Sequence, residues 1–338
     1  MVFENVNVAA VVHVDAPVRL SSVDLMARLS PTPERLGVRL GLLEETAGIR
    51  QRGLWGRDVS VAEVAALAGE RVIEAASVPR DRIGLLVSTS VCRDFIEPST
   101  AAIVHGTLGL PDTCQNFDLG NACLGFINGM DVAARMIERG DIDYALIVDG
   151  EVSDQVTNST VARLSLPSTT IEQFRSEFAS LTLGSGAVAM VLAHKSVVPA
   201  GHRYLGSVTR AATHFSHLCR GTMERMVTDT HTLLAEGLKL AATTYGAACD
   251  ALGWASNGLD HYVLHQVSSV HTTALLELLG LDPEKALTTY PDYGNVGPAS
   301  VPLTLSKLDE MGRLQPGDRV GLMGIGSGLN CAMGEIVW

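Results

Sequence analysis

A short motif occurs twice in this 338-residue chain, once near the middle and once near the end. Leu183-Gly184-Ser185-Gly186 and Ile325-Gly326-Ser327-Gly328 are 142 residues apart, and each leads into an apolar stretch with the character of a strand. Before both copies, short apolar segments alternate with longer helical patterns in the same order, which is typical of βα units. This shared order makes chance similarity between two Gly-rich strand starts the weaker explanation. The sequence therefore predicts an internal duplication within an α/β protein.

The duplication divides the chain into residues 1–195 and 196–338. Only the first half contains a polar, Ser/Thr-rich stretch, at 153–180, which we interpret as an insertion suited to covering a substrate. In the first half, periodicity predicts strands at Val6–Val14, Ile83–Val91, Asn116–Leu119, Tyr144–Val148 and Gly184–Ala193, and helices at Ser60–Ala76, Pro98–Leu108 and Cys123–Arg139. In the second half it predicts strands at Tyr204–Ala211, His261–Leu264, Arg319–Met323 and Asn330–Val337, and helices at Met226–Leu252, Val270–Leu279 and Gly297–Met311.

Charge and cysteine usage narrow the range of partners. The formal net charge of −12 disfavours nucleic acid, because phosphate binding relies on Lys and Arg. The six cysteines are scattered without a CxxC pair, as expected for free thiols in a reducing compartment, so we expect a cytoplasmic protein. We see no signal peptide and no apolar run long enough to span a membrane. His214, His217 and Cys219 lack the paired spacing of a zinc site, and no metal is expected.

The segment Asn121-Ala122-Cys123-Leu124-Gly125-Phe126 is the sharpest local feature. Small residues form a turn after a predicted strand, and Cys123 is predicted to open a helix. The unpaired N–H groups and positive end of that helix would favour a thiolate, which is the nucleophilic form of cysteine. A single cysteine at a helix start is more often a small buried apolar residue, so the segment alone is weak support for catalysis.

Two further polar residues follow predicted element ends. His265 ends a strand that we expect to lie inside the sheet, and Asn295 lies in a Gly/Pro-rich turn that enters a helix. Each has an ordinary explanation, as a buried imidazole or as part of a turn. However, open α/β sheets bind ligands at the carboxyl ends of their strands. We therefore predict that Cys123, His265 and Asn295 meet at one site.

Four segments together resemble a known family: DLGNACLGF, LHQV, YGNVGPASVP and the closing GIGSG. They occur in the order and spacing of the ketoacyl synthase III branch of the thiolase superfamily, and the likeness covers essentially the whole chain. The resemblance implies a five-layered αβαβα thiolase fold, a homodimer, and a catalytic triad of Cys123, His265 and Asn295. We expect the backbone N–H groups of Cys123 and Ser327 to hold an oxyanion.

The segment TSVCRDFIEPST, residues 89–100, is similar to that of the enzymes within this branch that join two fatty acyl-CoA chains head to head. That resemblance implies that Glu97 reaches across the dimer and acts as the catalytic base. Without it, Glu97 would be interpreted as a solvated carboxylate before the helix predicted at Pro98. Chain-initiating ketoacyl synthases lack a carboxylate there, because loss of CO₂ from a malonyl thioester generates their carbanion.

The sequence also departs from related patterns at two places. Met323-Gly324 stands where biosynthetic thiolases carry a second reactive cysteine, which argues against a true thiolase. Thr46 stands where ketoacyl synthases III carry an arginine that helps to hold coenzyme A. The resemblance therefore does not identify the residues that contact the coenzyme A phosphates. The candidates for substrate binding are Gly297, Gly326, Gly328 and Arg220, with Arg50, Arg52 and Arg210 as further possible phosphate contacts.

The expected function is a non-decarboxylative Claisen condensation of two long-chain acyl-CoA molecules, without a bound cofactor. Its product would be a β-ketoacyl thioester released as a β-keto acid, for downstream enzymes of a long-chain olefin or β-lactone type pathway. One alternative is a decarboxylative ketoacyl synthase III that uses a malonyl thioester. Another is an inactive acyl-binding partner subunit on the same scaffold, against which the intact set of Cys123, His265 and Asn295 argues.

Overall fold

A computed structural model describes residues 2–56, 58–254 and 258–338 of the chain. The strands of the first half are β1 (Val6–Asp15), β2 (Val18–Ser21), β3 (Gln51–Leu54), β4 (Ile83–Ser88), β5 (Gln115–Asp118), β6 (Tyr144–Glu151) and β7 (Gly186–His194). Its helices are α1 (Ser22–Ala27), α2 (Thr32–Leu36), α3 (Leu42–Ala47), α4 (Val61–Ala76), α5 (Thr100–Leu108), α6 (Gly125–Glu138), α7 (Asp154–Leu164) and α8 (Ile171–Glu177).

The second half contains fewer helices. Its strands are β8 (His202–Ala211), β9 (Cys219–Gly221), β10 (Met226–Thr228), β11 (His261–Leu264), β12 (Arg319–Gly326) and β13 (Asn330–Val337). Its helices are α9 (Thr230–Leu252), α10 (Ser269–Leu279), α11 (Tyr290–Tyr293) and α12 (Ser300–Glu310). Short 3₁₀ turns are present at Arg80–Arg82, Phe178–Thr182, Thr213–Phe215, Pro283–Lys285 and Gly297–Ala299.

The start of α9 differs from the prediction. The sequence pattern predicted one helix over Met226–Leu252, but Met226–Thr228 forms β10 and pairs with β9. The helix begins only after Asp229, whose side chain accepts a hydrogen bond from the Thr232 N–H at 3.1 Å. An aspartate in this position satisfies a donor that the first helical turn leaves unpaired, so Asp229 fixes where the helix begins. The apolar residues before it are therefore free to pair as a strand.

One nine-stranded sheet runs through the described part of the chain in the order β11-β12-β13-β8-β1-β7-β6-β4-β5. The two halves join where β1 pairs with β8 through Asn7–Arg203 and Val8–His202. Outward from this junction, β1-β7-β6-β4 on one side corresponds to β8-β13-β12-β11 on the other, and β5 extends the first half. This repeated order is what the predicted duplication requires. The division at residues 195 and 196 lies between β7 and β8 and stays a prediction.

The helices form three layers around the two parts of this sheet. Helices α4 and α5 pack on the outer face of the first half, in a core that includes Val72 and Leu146. Helices α6 and α12 lie between the two halves, in a core that includes Phe126 and Leu305. Helices α9 and α10 cover the outer face of the second half. The five-layered αβαβα arrangement of the thiolase fold is therefore confirmed.

The predicted insertion at 153–180 folds as α7 and α8 together with the 3₁₀ turn that follows them. Phe174 of α8 and Leu164 of α7 pack in a separate apolar cluster with Leu25 and Leu43 of the first helices. Thr170 caps α8, with the capping box completed by Gln173. The polar stretch is therefore ordered structure held by its own core. None of the helices in the described ranges is long and apolar enough to cross a membrane.

Candidate active site

A cavity of about 600 Å³ opens between the two halves. Cys123, His265 and Asn295 all line it, so the structure brings the three residues of the predicted triad to one place. The rest of the wall is mostly apolar. One face of α9 supplies a continuous strip of it, through Thr230, Leu233, Leu234, Gly237, Leu238 and Ala241. Such a cavity suits a ligand with long alkyl groups and a small reactive head.

The turn before α6 positions Cys123. Ala122 has a φ of 45°, a conformation that residues with a side chain rarely adopt. The Leu124 and Gly125 N–H groups donate to the Asn121 and Ala122 carbonyls at 3.0 and 3.1 Å, which closes the turn. A backbone held in this unusual conformation next to a candidate nucleophile is a common feature of catalytic sites.

The protonation state of Cys123 differs from the expectation. The helix was predicted to begin at Cys123 and to favour a thiolate, but α6 begins at Gly125. Burial raises the pKa of the Cys123 thiol to about 12, and the nearby Glu151 carboxylate and Cys219 thiol add to this effect. The expectation of a resting thiolate is therefore wrong, and at neutral pH the thiol carries its proton. A base must take that proton when the sulfur attacks.

His265 follows β11, which lies at the edge of the sheet and not inside it as expected. Its backbone N–H donates to the Met323 carbonyl at 2.8 Å, which ties it to β12. Burial, with a smaller contribution from the charge of His271, lowers the pKa of His265 to about 3. The imidazole is therefore neutral at physiological pH. A neutral imidazole can accept a proton from a thiol or donate a hydrogen bond to a substrate oxygen.

Asn295 lies where the two halves of the chain touch. Its backbone N–H donates to the Thr182 carbonyl, and its carbonyl accepts from the Gly184 N–H, both at 2.9 Å. Gly184 is required for this contact, because a Cβ there would lie 1.8 Å from the Tyr293 carbonyl oxygen. Within the turn, Asn295 Oδ1 accepts from the Gly297 N–H at 3.0 Å. Its amide N–H groups are then the part of the side chain that can donate to a substrate.

The predicted oxyanion residues lie close together. A Cβ on Gly326 would be 3.3 Å from the Cys123 nitrogen, so glycine lets this strand end approach the Cys123 N–H. Ser327, Gly326 and Gly297 line the cavity, as expected. Gly328 is not part of the cavity wall and lies in the turn from β12 to β13, with a φ of 141°. Arg220 is exposed on β9 and is not part of the wall either.

Two of the other arginines considered as phosphate contacts have local side-chain or buried partners, whereas the exposed Arg210 donates only to the neighbouring Thr209 carbonyl at 3.0 Å among the described residues. Arg50 pairs with Asp292 at 2.8 Å. Arg52 is fully buried, and its guanidinium donates to the Leu181 carbonyl and to Ser22. Burial lowers the pKa of Arg52 to about 10. Arg52 is therefore a structural residue and is excluded as a contact for a phosphate at the surface.

Glu97 does not line the cavity of its own protomer. It lies on an exposed connection between β4 and α5, next to Phe95 and Ile96, which are 58% and 99% exposed. Helix α5 begins at Thr100 and not at the predicted Pro98. The first turn of α5 is already capped by Ser99 and Asp118. The interpretation of Glu97 as a partner of that helix end therefore has no support in the geometry.

Sequence reasoning missed two charged residues of the cavity wall, Arg93 and Glu151, of which Glu151 is buried. Its carboxylate lines the cavity, and burial raises its pKa to about 7. The predicted strand ended at Val148, whereas β6 continues to Glu151. The signal that could have found it is two carboxylates, Asp149 and Glu151, placed directly after a buried apolar strand.

Comparison with known proteins identifies relatives over the whole chain. Residues 117–212 match the family described as 3-oxoacyl-[acyl-carrier-protein] synthase III, and residues 249–338 match its C-terminal part. The acyl-CoA:acyl-CoA alkyltransferase of Xanthomonas campestris is 53% identical over 100% of both chains. The protein of the same name from Shewanella oneidensis is 33% identical, again over 100% of both chains.

Solved structures give the same result. A cysteine-to-serine variant of Xanthomonas campestris OleA, crystallised with lauric acid and lauroyl-CoA, superposes with a TM-score of 0.98 and 53% identity over 99% of this chain and 100% of that chain. Other structures of that protein carry substitutions of a cysteine, a histidine and a glutamate. The glutamate lies 26 residues before the cysteine and the histidine 142 residues after it, the same intervals that separate Glu97, Cys123 and His265. This chain belongs to the 3-oxoacyl-[acyl-carrier-protein] synthase III family of the thiolase superfamily, in the branch of the acyl-CoA:acyl-CoA alkyltransferases.

Proposed function

We propose that this protein joins two long-chain fatty acyl-CoA molecules by a non-decarboxylative Claisen condensation and releases a β-keto acid. The observation that carries this proposal is the composition of the cavity. A thiol, a neutral imidazole and an amide meet in a mostly apolar space, and the one Arg or Lys side chain in its described wall, Arg93, lies 4.0 Å from the Asp118 carboxylate. The relatives' name and the lauroyl-CoA complex support the same substrate class.

In the first half-reaction, Cys123 attacks the thioester carbonyl of one acyl-CoA. His265, which is neutral, accepts the thiol proton and returns it to the departing coenzyme A sulfur. The C–S bond to coenzyme A breaks, and an acyl-Cys123 thioester forms. The backbone N–H groups of Cys123 and Ser327 stabilise the negative oxygen of the tetrahedral intermediate. The products are acyl-enzyme and free coenzyme A, with no net change in protons.

In the second half-reaction, another acyl-CoA binds with its thioester oxygen facing His265 and the amide of Asn295. Their hydrogen bonds stabilise the enolate that forms as Glu97 removes the α-proton. The carbanion attacks the acyl-Cys123 carbonyl, so a C–C bond forms and the C–S bond to Cys123 breaks. The sulfur regains a proton, which balances the α-proton taken up by Glu97, and the product is a β-ketoacyl-CoA. Water then hydrolyses this thioester to the β-keto acid and coenzyme A.

The base in this scheme comes from a second copy of the chain. Glu97 lies outside its own cavity but on a connection whose apolar residues Phe95 and Ile96 project into solvent. This connection lies beside β5, the edge strand of the sheet, whose last residue Asp118 caps α5. An edge strand and an exposed apolar tip on the same side are suited to burial against another copy. This placement supports a homodimer in which each Glu97 enters the partner's cavity.

Downstream enzymes and the cellular location belong to the same proposal. A β-keto acid loses CO₂ readily, so an enzyme that uses it promptly is expected nearby. The scattered cysteines predict a reducing compartment, the cytoplasm. Such a compartment suits a catalytic thiol, because it keeps the thiol reduced.

The test is to incubate the purified protein with a single acyl-CoA, such as ¹³C-labelled myristoyl-CoA, and to identify products by mass spectrometry. The proposal predicts a β-keto acid that contains two intact acyl chains, or the ketone formed from it, with two coenzyme A molecules released. If product forms only after malonyl-CoA is added to the same incubation, the decarboxylative alternative is favoured. Acyl binding without any product would favour the inactive subunit.

A further inference from the structure

The connection that carries Glu97, residues 91–99, is anchored at both flanks while its tip is exposed. We call it the Glu97 loop. The Asp94 carboxylate accepts hydrogen bonds from the Val61 and Ala62 N–H groups at 2.7 and 2.9 Å, at the first turn of α4. At the far end, Ser99 Oγ accepts from the Ala102 N–H at 3.1 Å and caps α5. The direction in which Glu97 projects is therefore set by contacts on either side of it.

The start of the Glu97 loop is anchored by Glu151. The Glu151 carboxylate accepts from the Val91 N–H at 2.6 Å and from the Cys92 N–H at 3.4 Å. The two residues before this contact are fixed in the same way, because Thr89 donates to Asp149 at 2.6 Å and Ser90 Oγ accepts from the Gly150 N–H at 2.8 Å. These side-chain bonds continue the pairing of β4 with β6 beyond Ser88, where β4 ends.

The same carboxylate also faces the cavity. Glu151 is 5% exposed and lines the wall near Cys123. A Cβ on Gly297 would be 3.6 Å from Glu151 Cδ, so the carboxylate packs against the turn that holds Asn295. Asp149, Cys92 and Cys123 are the other titratable groups that face it. Glu151 therefore connects the Glu97 loop of one protomer with the wall of that protomer's own cavity.

We propose that Glu151 is a positioning residue for carbon–carbon bond formation, which fixes the first residues of the Glu97 loop so that Glu97 reaches the α-carbon in the partner's cavity. This inference rests on the proposed function, in which Glu97 acts across the dimer. Both Glu151 oxygens accept backbone N–H groups, a role that an amide cannot fill. In Glu151→Gln, one oxygen is replaced by an NH₂ group, which would face the N–H donor of Val91 or Cys92. Because two donors cannot form a hydrogen bond with each other, the start of the loop must shift. A displacement of about 1 Å in a base can cost on the order of 10²-fold in rate.

Mixed dimers test this inference. Glu97→Ala and Cys123→Ala protomers with different affinity tags are co-expressed, and the heterodimer is purified through both tags. Its one complete site takes Cys123 from the first protomer and Glu97 from the second. Glu151→Gln is then added to either protomer, and condensation is measured together with the amount of acyl-enzyme formed, which reports an intact Cys123 site.

Glu151→Gln on the protomer that supplies Glu97 should reduce condensation roughly 10- to 100-fold, with one acyl group still bound per Cys123. On the protomer that supplies Cys123, the loss should be at least several-fold smaller. Asp149→Asn on the Glu97-supplying protomer is the matched control, because Asp149 is a buried carboxylate on the same strand. Among the described residues only one of its oxygens accepts a hydrogen bond, from Thr89. An asparagine oxygen can accept the same bond, so this variant should leave condensation nearly unchanged.

A larger loss with Glu151→Gln on the Cys123-supplying protomer would overturn the inference and assign Glu151 to its own cavity. Equal losses in both positions, or loss of acylation, would overturn it in favour of a general structural role. The mixed dimer of Glu97→Ala and Cys123→Ala protomers without Glu151→Gln is the reference. If both of its protomers are folded and it forms no product, then Glu97 does not act across the dimer. That result would contradict the proposed function itself.

Discussion

At Cys123, the cost of burying a charge outweighs the field of the helix that follows. A helix N-terminus stabilises a nearby anion by about 0.3–1 kcal/mol at an exposed site and up to about 2 kcal/mol when partly buried. Burial raises the pKa of this thiol from an ordinary value of 9.0 to about 12, which corresponds to about 4 kcal/mol. The sequence shows the residue types and the turn, but the balance between burial and helix field depends on tertiary packing around Glu151 and Cys219.

The high thiol pKa predicts how Cys123 reacts with a simple alkylating agent. We expect its rate of modification by iodoacetamide to rise about tenfold per pH unit between pH 7 and 9, because the thiolate fraction rises in that proportion below the pKa. Peptide mapping by mass spectrometry measures the rate at this position, with Cys123→Ser as the control for peptide assignment. A rate that levels off below pH 8 would show a resting thiolate and contradict the structure.

The buried carboxylates Glu151 and Asp149 predict a pH dependence of stability. Burial raises the pKa of Glu151 from 4.5 to about 7, and that of Asp149 shifts in the same direction. Between pH 4.5 and 7 these two carboxyl groups therefore bind more protons in the folded protein than in the unfolded chain, so their contribution to stability falls as pH rises, whereas the lowered pKa of His265 contributes in the opposite direction. Because glutamine does not titrate, the Tm of Glu151→Gln should rise relative to that of the wild type between pH 4.5 and 7.5. A variant with the same slope as the wild type would show that Glu151 titrates normally.

At the scale of elements, α9 illustrates what periodicity could and could not predict. The whole of α9, Thr230–Leu252, lies within the predicted helix, because apolar residues recur at helical spacing. The pattern could not show that Met226–Thr228 pairs with β9, since three residues are too few for any period to be distinguished. In contrast, His261–Leu264 and Asn330–Val337 were predicted with the observed bounds. These strands are buried apolar runs bounded by polar residues or turns, so burial and local signals agree.

The cavity-facing side of α9 predicts a determinant of acyl-chain length. Gly237 lines the cavity, and a Cβ there would lie 3.1 Å from Ile325 Cδ1, so a larger side chain must project into the alkyl space. Gly237→Leu should displace about three methylene groups at ~0.8 kcal/mol each and lower kcat/KM for long acyl-CoA by roughly 10- to 100-fold. Short acyl-CoA substrates should be affected much less. Competition assays with C8 to C16 acyl-CoA mixtures measure this ratio.

Gly246 on the same helix provides the matched control. A Cβ there meets nothing within 4 Å, and the residue is exposed. Gly246→Leu should stabilise the helix by up to about 1 kcal/mol and leave the chain-length preference unchanged. An equal change of preference in both variants would mean that helix stiffness, and not the filling of the cavity, sets the specificity.

At the scale of the whole molecule, the repeated GSG motif led to the correct architecture. The two copies precede β7 and β13, which take matching places on either side of the junction between β1 and β8. The meeting of Cys123, His265 and Asn295 follows from that repeat, because α6 and α12 share the central layer. The exposed Glu97 loop could not be placed from pattern alone. Its geometry depends on anchors at Asp94 and Glu151 that are distant from their partners in sequence.

The exposed tip of the Glu97 loop predicts that dimer formation and condensation are linked. Ile96→Lys places a charge at the most exposed apolar position of the tip and should weaken self-association, because burying an unpaired ammonium is costly. Acylation of Cys123 should persist, whereas condensation should fall together with the dimer fraction. Sedimentation velocity and product formation over a range of protein concentrations measure both.

Leu278 provides the comparison for Ile96. It is 51% exposed on α10, beside β11 at the opposite edge of the sheet. Leu278→Lys should alter neither association nor condensation. A fully dimeric Ile96→Lys protein with normal activity would contradict the assignment of the loop tip to the interface.

The central claim is that Glu97 generates the carbanion by proton removal, so the most direct measurement separates the two half-reactions in Glu97→Ala. Rapid-quench mass spectrometry with a long-chain acyl-CoA follows acyl-Cys123 and the condensed product in the same sample. We predict that acyl-Cys123 forms at the wild-type rate, since this step needs no carbanion, while carbon–carbon bond formation falls by about 10²–10⁴-fold. Condensation at the wild-type rate in Glu97→Ala, or release of CO₂ from malonyl-CoA at a comparable rate, would contradict the account and assign the protein to decarboxylative chemistry.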